Sequence, residues 1–278
     1  MTTATRTVFR TCTLCEACCG LRFEVTGDRI SAVRPDDEDV LSRGFVCPKG
    51  VAIADVHHDP DRIRQPLVRG ADGALRPATW DEAFAAAARG LDAVRRAHGP
   101  DAVAVYLGNP IVHNHGAIML RGGLLKAVGS RNSTSAGSQD TSPRFAASYY
   151  LYGSSLAIPI PDVDRTSHFL CIGANPMVSN GSFLSAPNMR GRMRAIQARG
   201  GKVVVVDPRR SESAREADEH VAIRPGSDAM LLLAMVRALD ARGRIDTTAV
   251  ARLAVGFETV RAAIAPFTPE AVAPHVGI

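Results

Sequence analysis

Aromatic side chains are scarce: Phe, Trp and Tyr make up 5% of 278 residues, with a single tryptophan. That scarcity argues against a surface built to stack nucleic-acid bases. Long apolar runs are missing too. No stretch of 18 or more apolar residues occurs, so no membrane-spanning helix is expected. The first eleven residues, Met1 to Thr11, are too polar for a secretory leader. No twin-arginine pair precedes the cysteines, since Arg95-Arg96 and Arg209-Arg210 lie far inside. A cytoplasmic location is the expectation. Charge of one sign is not concentrated either. The 33 basic and 28 acidic residues leave a net charge of +5, with the arginines scattered in modest groups such as Arg190, Arg192 and Arg194. A nucleic-acid binder would gather this excess on one face. An interior that holds a phosphorylated cofactor is the better use of it. Hydrophobic residues at 46% and charged residues at 22% are ordinary for a globular protein, and the length allows one to three domains.

Cysteine is also sparse, but four of the six fall into one pattern. Cys12, Cys15 and Cys19 read C-x2-C-x3-C, and after a gap of 27 residues Cys47 opens Cys-Pro-Lys-Gly. Thiolates are soft ligands that suit iron–sulfur clusters and zinc. Three on one tight loop and a fourth from afar match the ligand set of a four-iron cubane. Structural zinc sites usually come as two short-spaced pairs, which this is not. A disulfide framework is disfavoured, because the chain is long enough to build a core unaided. Cys18 and Cys19 compete for the third ligand position. Cys19 is preferred because Gly20 follows it and lets the backbone wrap close to the sulfurs.

Residues 7 to 60 form the cysteine module. Within it, Phe23–Val25 and Ile30–Val33 flank Thr26-Gly27-Asp28-Arg29 as a β-hairpin, and Asp36 to Asp39 reads as a solvated acidic turn. Residues 61 to 78, rich in Pro, Arg and Gly, read as a boundary. Thr79-x-x-Glu82 is a capping box ahead of a helix to about Ala97, closed by Gly99-Pro100. A short strand over Val103–Gly108 and a helix over Gly116–Val128 follow. Residues 130 to 142 are small and polar, and a loop of that length inside a compact domain points to function. Strands are then expected at His168–Gly173, Lys202–Asp207 and Val221–Ile223. Helices are expected at Pro187–Arg199 and at Asp228–Ala241, the latter capped by Ser227. Apolar strands separated by helices mean a parallel sheet covered on both faces, an α/β, doubly wound, Rossmann-like architecture. Cys171 reads as a buried core thiol and His57-His58 as surface turn residues. His113 and His115 receive no role.

Ligands of such sheets bind at the carboxyl ends of strands. Gly173-Ala174-Asn175-Pro176 follows the first strand of this region, with Ser179-Asn180-Gly181-Ser182 just beyond. Small residues there let a pyrophosphate approach backbone N–H groups. Asp207-Pro208-Arg209-Arg210 follows the second, and an acid at that place can accept from a ribose or a guanine edge. Arg224-Pro225-Gly226-Ser227-Asp228 follows the third.

The cysteine set with Cys47-Pro48-Lys49-Gly50, then Gly173–Pro176, Val206–Arg209 and Ile223–Gly226, resembles the molybdopterin oxidoreductases that bind bis-molybdopterin guanine dinucleotide. These include formate dehydrogenases, nitrate reductases and their relatives. The resemblance implies a [4Fe–4S] cluster on Cys12, Cys15, Cys19 and Cys47, in a domain over residues 1–60. It implies a first part of the molybdopterin oxidoreductase domain over 61–130, and an incomplete guanine-dinucleotide domain over 131–278. Lys49 would lie on the electron path between cluster and pterin. Gly173, Asn175, Pro176, Ser179, Asp207, Arg209, Gly226 and Asp228 would hold the dinucleotide. Asp140, before Thr141-Ser142-Pro143, would be the protein ligand to molybdenum or tungsten, with Ser138 as the alternative. Formate dehydrogenases of this family follow that position with histidine, so Thr141 argues against formate oxidation. Members are usually more than twice as long, which implies a fragment or a split subunit completed by a second chain. A small-molecule substrate and an electron donor or acceptor protein are implied as partners. Two competing functions stand beside this one. They are an electron-transfer subunit related to the large subunit of NADH dehydrogenase, without molybdenum, and a zinc-stabilised binding module.

Overall fold

The computed structural model describes residues 4–181 and 185–278, in two compact units. The first comprises residues up to Pro161 with the short segment ending at Pro187, and the second comprises Asp162–Gly181 with Asn188–Ile278.

The first unit begins with an antiparallel meander of β1 (Thr5–Thr11), β2 (Gly20–Thr26) and β3 (Arg29–Pro35). Val8, Phe23 and Val33 stand opposite one another across the three strands. They pack with Leu21, Ala17, Cys12 and Cys19 into one apolar cluster. The expected β2–β3 hairpin turns at Gly27, whose φ of +63° suits glycine. Two short helices follow, α1 (Pro48–Val51) and α2 (Ile53–His58). His57 and His58 end α2 rather than sitting in a turn, and His58 Nε2 accepts from the Ile30 N–H at 2.9 Å.

The segment read as a boundary carries its own hairpin, β4 (Leu67–Arg69) against β5 (Leu75–Pro77). α3 (Trp80–His98) then starts as its sequence requires: Thr79 Oγ1 accepts from Glu82 N at 3.2 Å, and Gly99 ends it at φ +82°. β6 (Val105–Leu107) leads through a 3-10 turn to α4 (His115–Val128), which Asn114 caps. The polar stretch 130–142 is not one loop. It holds β7 (Ser133–Ser135), which pairs parallel with β6, and the helical turn α5 (Gly137–Asp140). Arg131 fixes that pairing by gripping Asp101 with its backbone N–H and guanidinium at 2.7–3.0 Å. α6 (Ser142–Tyr152) completes the unit's regular elements.

The second unit is an all-parallel sheet in the order β10–β9–β8, built from β8 (His168–Ile172), β9 (Lys202–Val206) and β10 (Glu219–Val221). Val203 to Val206 are all buried, as the central strand of a covered parallel sheet must be. Between the strands run α7 (Pro176–Ser179), α8 (Met189–Ala198) and α9 (Glu212–Glu216). α8 lays Met189, Met193 and Ile196 into the core. Four helices close the chain: α10 (Asp228–Ala241), α11 (Thr247–Leu253), α12 (Phe257–Ile264) and α13 (Pro269–Val276). Ala234 of α10 packs with Val272 and Val276 of α13. Two expectations need correction. β10 lies two residues upstream of Val221–Ile223, because Ile223 is buried without pairing. Ser227 sits at the N-cap of α10, but its hydroxyl donates to the Arg224 carbonyl instead of accepting from the helix.

Candidate metal centre and dinucleotide loops

Cys12 leaves the end of β1, and its N–H donates to the Cys19 carbonyl at 2.8 Å, closing the cysteine loop into a ring. Cys12, Cys19 and Cys47 are buried, and Cys15 is half-buried. Cys47 precedes α1, whose Gly50 faces the cluster loop: a Cβ there would stand 2.7 Å from Val46 Cγ2 and 3.9 Å from Cys12 Sγ. Glycine therefore brings the fourth cysteine's helix close to the other three.

The four thiols act on one another. Burial pushes Cys19 up to about 12, and Cys12, Cys15 and Cys47 push it the same way. Burial raises Cys12 as well, with Cys15 and Cys47 among the smaller contributors. Thiols raised like Cys12 and Cys19 become thiolates together only when a cation neutralises them, as a metal does. Cys18 also rises through burial, and then through Cys15, Glu16 and Asp39. It stands in the left-handed region at φ +51°, at the edge of this set. Among the described residues, no three His, Cys, Asp or Glu side chains converge as donors to one ion. A zinc site draws four donors onto a single ion. In a cubane each thiolate ligates its own iron, so the sulfurs stand apart. Four thiols gathered on one loop and the start of α1 are a soft donor set that would suit the irons of a cubane.

Sequence reasoning missed two groups beside this loop. Asp39 is no solvated turn residue: its Oδ2 accepts from Ser42 N at 2.6 Å, Ser42 Oγ at 2.7 Å and Leu41 N at 3.2 Å. Burial alone would raise its carboxyl, but these donors outweigh that and hold it below the usual range. His113 packs its side chain away from solvent with Nε2 3.8 Å from Glu16 of the cysteine loop. Nothing in local sequence marks either contact. Lys49 is exposed on α1, two residues after Cys47, and Asp140 and Ser138 are both exposed on α5.

In the second unit the three expected loops leave neighbouring parallel strands at the same edge of the sheet. Gly173 follows β8 at φ +63°, donating to the Val206 carbonyl at 2.9 Å. A Cβ on Gly173 or Gly226 would meet nothing within 4 Å, so both backbones stand open to a ligand. Asp207 follows β9, accepts from Arg209 N at 2.7 Å, and is half-buried. Its carbonyl takes the Nε2 of His220 from β10 at 2.9 Å. Asp228 opens α10. Pro176 is fully buried, Ser179 is half-buried, and Ser182 lies outside the described residues.

Asn175 differs from the other loop residues in being tied down. Its Oδ1 accepts from Ser213 Oγ at 2.7 Å and Ser213 N at 3.2 Å, while its Nδ2 donates to Glu212 Oε2 at 2.8 Å. Glu212 also takes Arg209 Nη2 at 3.1 Å. Asn175, donating, is the main reason the Glu212 carboxyl lies below its ordinary range. The loops after β8 and β9 are thus clasped to each other through α9.

Residues 5–59 match the family model described as the molybdopterin oxidoreductase Fe4S4 domain, and residues 62–263 match that of molybdopterin oxidoreductase. The chain belongs to the molybdopterin oxidoreductase family. The two matched regions carry the family's cofactors, a [4Fe–4S] cluster and molybdopterin with molybdenum or tungsten. Formate dehydrogenase H of Escherichia coli K12 is 27% identical over 98% of this chain and 38% of its own length. Assimilatory nitrate reductase of Haloferax mediterranei is 31% identical over 99% of this chain and 38% of its own length. The chain therefore spans less than two fifths of these relatives. Among solved structures, acetylene hydratase from Pelobacter acetylenicus superimposes with a TM-score of 0.77 at 24% identity. That match covers 97% of this chain and 36% of that one, a likeness of fold. Like other molybdopterin oxidoreductases, this chain joins a cysteine module to a parallel α/β region.

Proposed function

We propose that this chain is the cluster-bearing, dinucleotide-holding portion of a molybdenum- or tungsten-dependent oxidoreductase acting on a small molecule. The observation that carries the reading is the occurrence, in one chain, of a four-cysteine module and three strand-end loops on one sheet edge, two of which present open glycine backbone. When bound, the metal centre supplies two-electron chemistry and the cluster one-electron transfer; the protein supplies position and electrostatics. Cys12, Cys15, Cys19 and Cys47 hold the cluster. Gly173 and Gly226 offer backbone to phosphates, and Arg209, pre-set by Glu212, offers charge. Asp207 and Asp228 accept from a ribose or a guanine, and the resemblance to the family points to the guanine dinucleotide form, in two copies. Asp140 is the protein ligand to the metal, and exposed Lys49 marks where electrons leave the cluster for the pterin.

Partners belong to the same proposal. An electron donor or acceptor protein meets the cluster module. A further polypeptide, from this or a second chain, covers the apolar surface that α3, α4 and α6 leave open. Trp80 and Phe84 of α3 are 65% and 64% exposed, Met119 and Leu120 of α4 71% and 74%, and Tyr150 of α6 84%. Surfaces of this kind mark interaction sites. The location is proposed to be the cytoplasm, which cell fractionation checks; no helix among the described residues is long and apolar enough to cross a membrane.

The test is to purify the protein without oxygen and measure iron, molybdenum and tungsten together, with GMP released from the extracted cofactor. About four irons with stoichiometric molybdenum or tungsten and GMP support the reading. Iron without either metal or GMP favours the electron-transfer subunit, and zinc in place of iron favours the binding module. Loss of molybdenum or tungsten in Asp140→Ala, with iron retained, supports Asp140 as ligand; full retention of the metal and its spectrum rules it out.

A further inference from the structure

Gly20 follows the ligand Cys19 directly, and both faces of its backbone are held by the segment 36–44. Its N–H donates to Ser42 Oγ at 3.1 Å, and its carbonyl accepts from Asp36 N at 3.0 Å. The Cys19 carbonyl is taken by Cys12 N at 2.8 Å. The backbone around Cys19 is therefore pinned at three points, of which one is a side chain, Ser42. That side chain is 3% exposed.

A serine hydroxyl has one proton to give and two lone pairs to offer. Ser42 gives its proton to Asp39 Oδ2 at 2.7 Å, which leaves a lone pair aimed at Gly20 N. An ionised carboxylate only accepts, so Asp39 fixes which way the hydroxyl points. The same oxygen takes Ser42 N at 2.6 Å and Leu41 N at 3.2 Å, locking the turn that presents Ser42. Asp39 is also packed on the ligand loop itself: a Cβ on Gly20 would fall 2.5 Å from Asp39 Cβ and 2.7 Å from its Cγ. A negative charge is thus set against the residue that follows a cluster ligand.

We propose that Asp39 is a positioning residue for the iron–sulfur cluster, acting through Ser42 on the Cys19–Gly20 backbone and placing one fixed negative charge beside the cluster loop. The inference rests on Cys12, Cys15, Cys19 and Cys47 holding that cluster. Two effects separate by variant. Asp39→Asn keeps the shape but removes the charge, and its amide N–H competes with Gly20 N for the Ser42 oxygen. Ser42→Ala keeps the carboxylate and deletes the link.

The experiment uses the whole chain, its cluster reconstituted anaerobically with ferrous iron and sulfide. It compares midpoint potential by dye-mediated titration, the EPR spectrum of the reduced state, and the rate of iron loss to a chelator. Asp39→Asn is expected to shift the potential to more positive values, because reduction adds negative charge and a nearby anion has gone. Ser42→Ala is expected to lose iron about tenfold faster or more, as removal of one hydrogen bond in a charge-assisted network predicts, with a smaller change in potential. Asp39→Glu is expected to recover the wild-type potential. If Asp39→Asn fails to fold, Ser42→Ala still tests the link to Gly20 by its iron-loss rate and EPR line shape, and wild-type values there would overturn the positioning role. Wild-type potential, EPR line shape and iron-loss rate in Asp39→Asn and Ser42→Ala alike would overturn the proposal while leaving the cluster intact. A wild-type chain that takes up no iron would overturn the cluster assignment first, and the role of Asp39 with it.

Discussion

Adjacent cysteines pose the finest question in this chain, because Cys18 and Cys19 differ by one peptide unit and only one completes the ligand set. The backbone supports the proposed choice of Cys19. The Cys19 carbonyl and the following N–H are both hydrogen-bonded, and Cys19 is buried among Cys12, Cys15 and Cys47. Cys18 stands at φ +51°, with Glu16 and Asp39 among its neighbours. Cys18→Ser is expected to keep about four irons per chain and Cys19→Ser to lose them, by iron analysis after anaerobic reconstitution. His58 gives a second prediction at this scale. Its neutral Nε2 accepts from Ile30 N, and burial, then His57, Arg29 and Arg64, lowers its pKa. A histidine whose folded pKa lies below its unfolded value of about 6.5 contributes its full stability above that pH. The contribution is lost as pH falls through the folded value. The urea midpoint of the wild-type chain should therefore drop more between pH 7.5 and 5 than that of His58→Gln, whose amide accepts without titrating.

Among the elements, those with a strong local cause were legible in sequence. The valine run of β9 is buried throughout, and Thr79 caps α3 as its spacing with Glu82 requires. Elements with a distant cause were not. Ser133-Thr134-Ser135 becomes a strand only because β6 lies beside it and Arg131 grips Asp101. Ile223 is apolar because it is buried, not because it pairs, which displaced the reading of β10. The site divides the same way. The cysteine spacing announced itself, whereas Asp39 and Ser42 reach the cysteine loop only through Gly20 in another element, and Asn175 is held only through α9. The clasp between the β8 and β9 loops predicts its own cost. Asn175→Ala leaves the hydroxyl and N–H of Ser213, a residue with 0% exposure, without their acceptor. It should destabilise the second unit by about 1–3 kcal/mol, read from chemical unfolding. Asn175→Asp, which keeps the acceptor oxygen for Ser213 but replaces the donating amide with a carboxylate oxygen that repels Glu212, should also destabilise. A null result for both would mean that the loops hold their places without the clasp.

Over the whole chain, the two units keep their order by different means. The second has a conventional core: the buried strand β9 lies between β8 and β10, and Met189, Met193 and Ile196 of α8 are at most 1% exposed. The cysteine module has a small apolar cluster, and two of its six buried members are Cys12 and Cys19, the proposed cluster ligands. Without metal, that cluster contains thiols packed where charge is resisted. On the proposed assignment, the four sulfurs would crosslink the 12–19 loop to the segment that opens α1 when the cluster is bound. Metal binding in such a module is folding free energy. Stripping iron with a chelator should therefore open residues 5–59 to limited proteolysis, with early cleavage between Gly20 and Cys47. The thermal transition of the unit beginning at Asp162 should stay in place. Mass analysis of the fragments and calorimetry on the same samples test both halves. A shared loss of both transitions would mean that the second unit depends on the cluster for its stability, contrary to the separate cores seen in its buried residues.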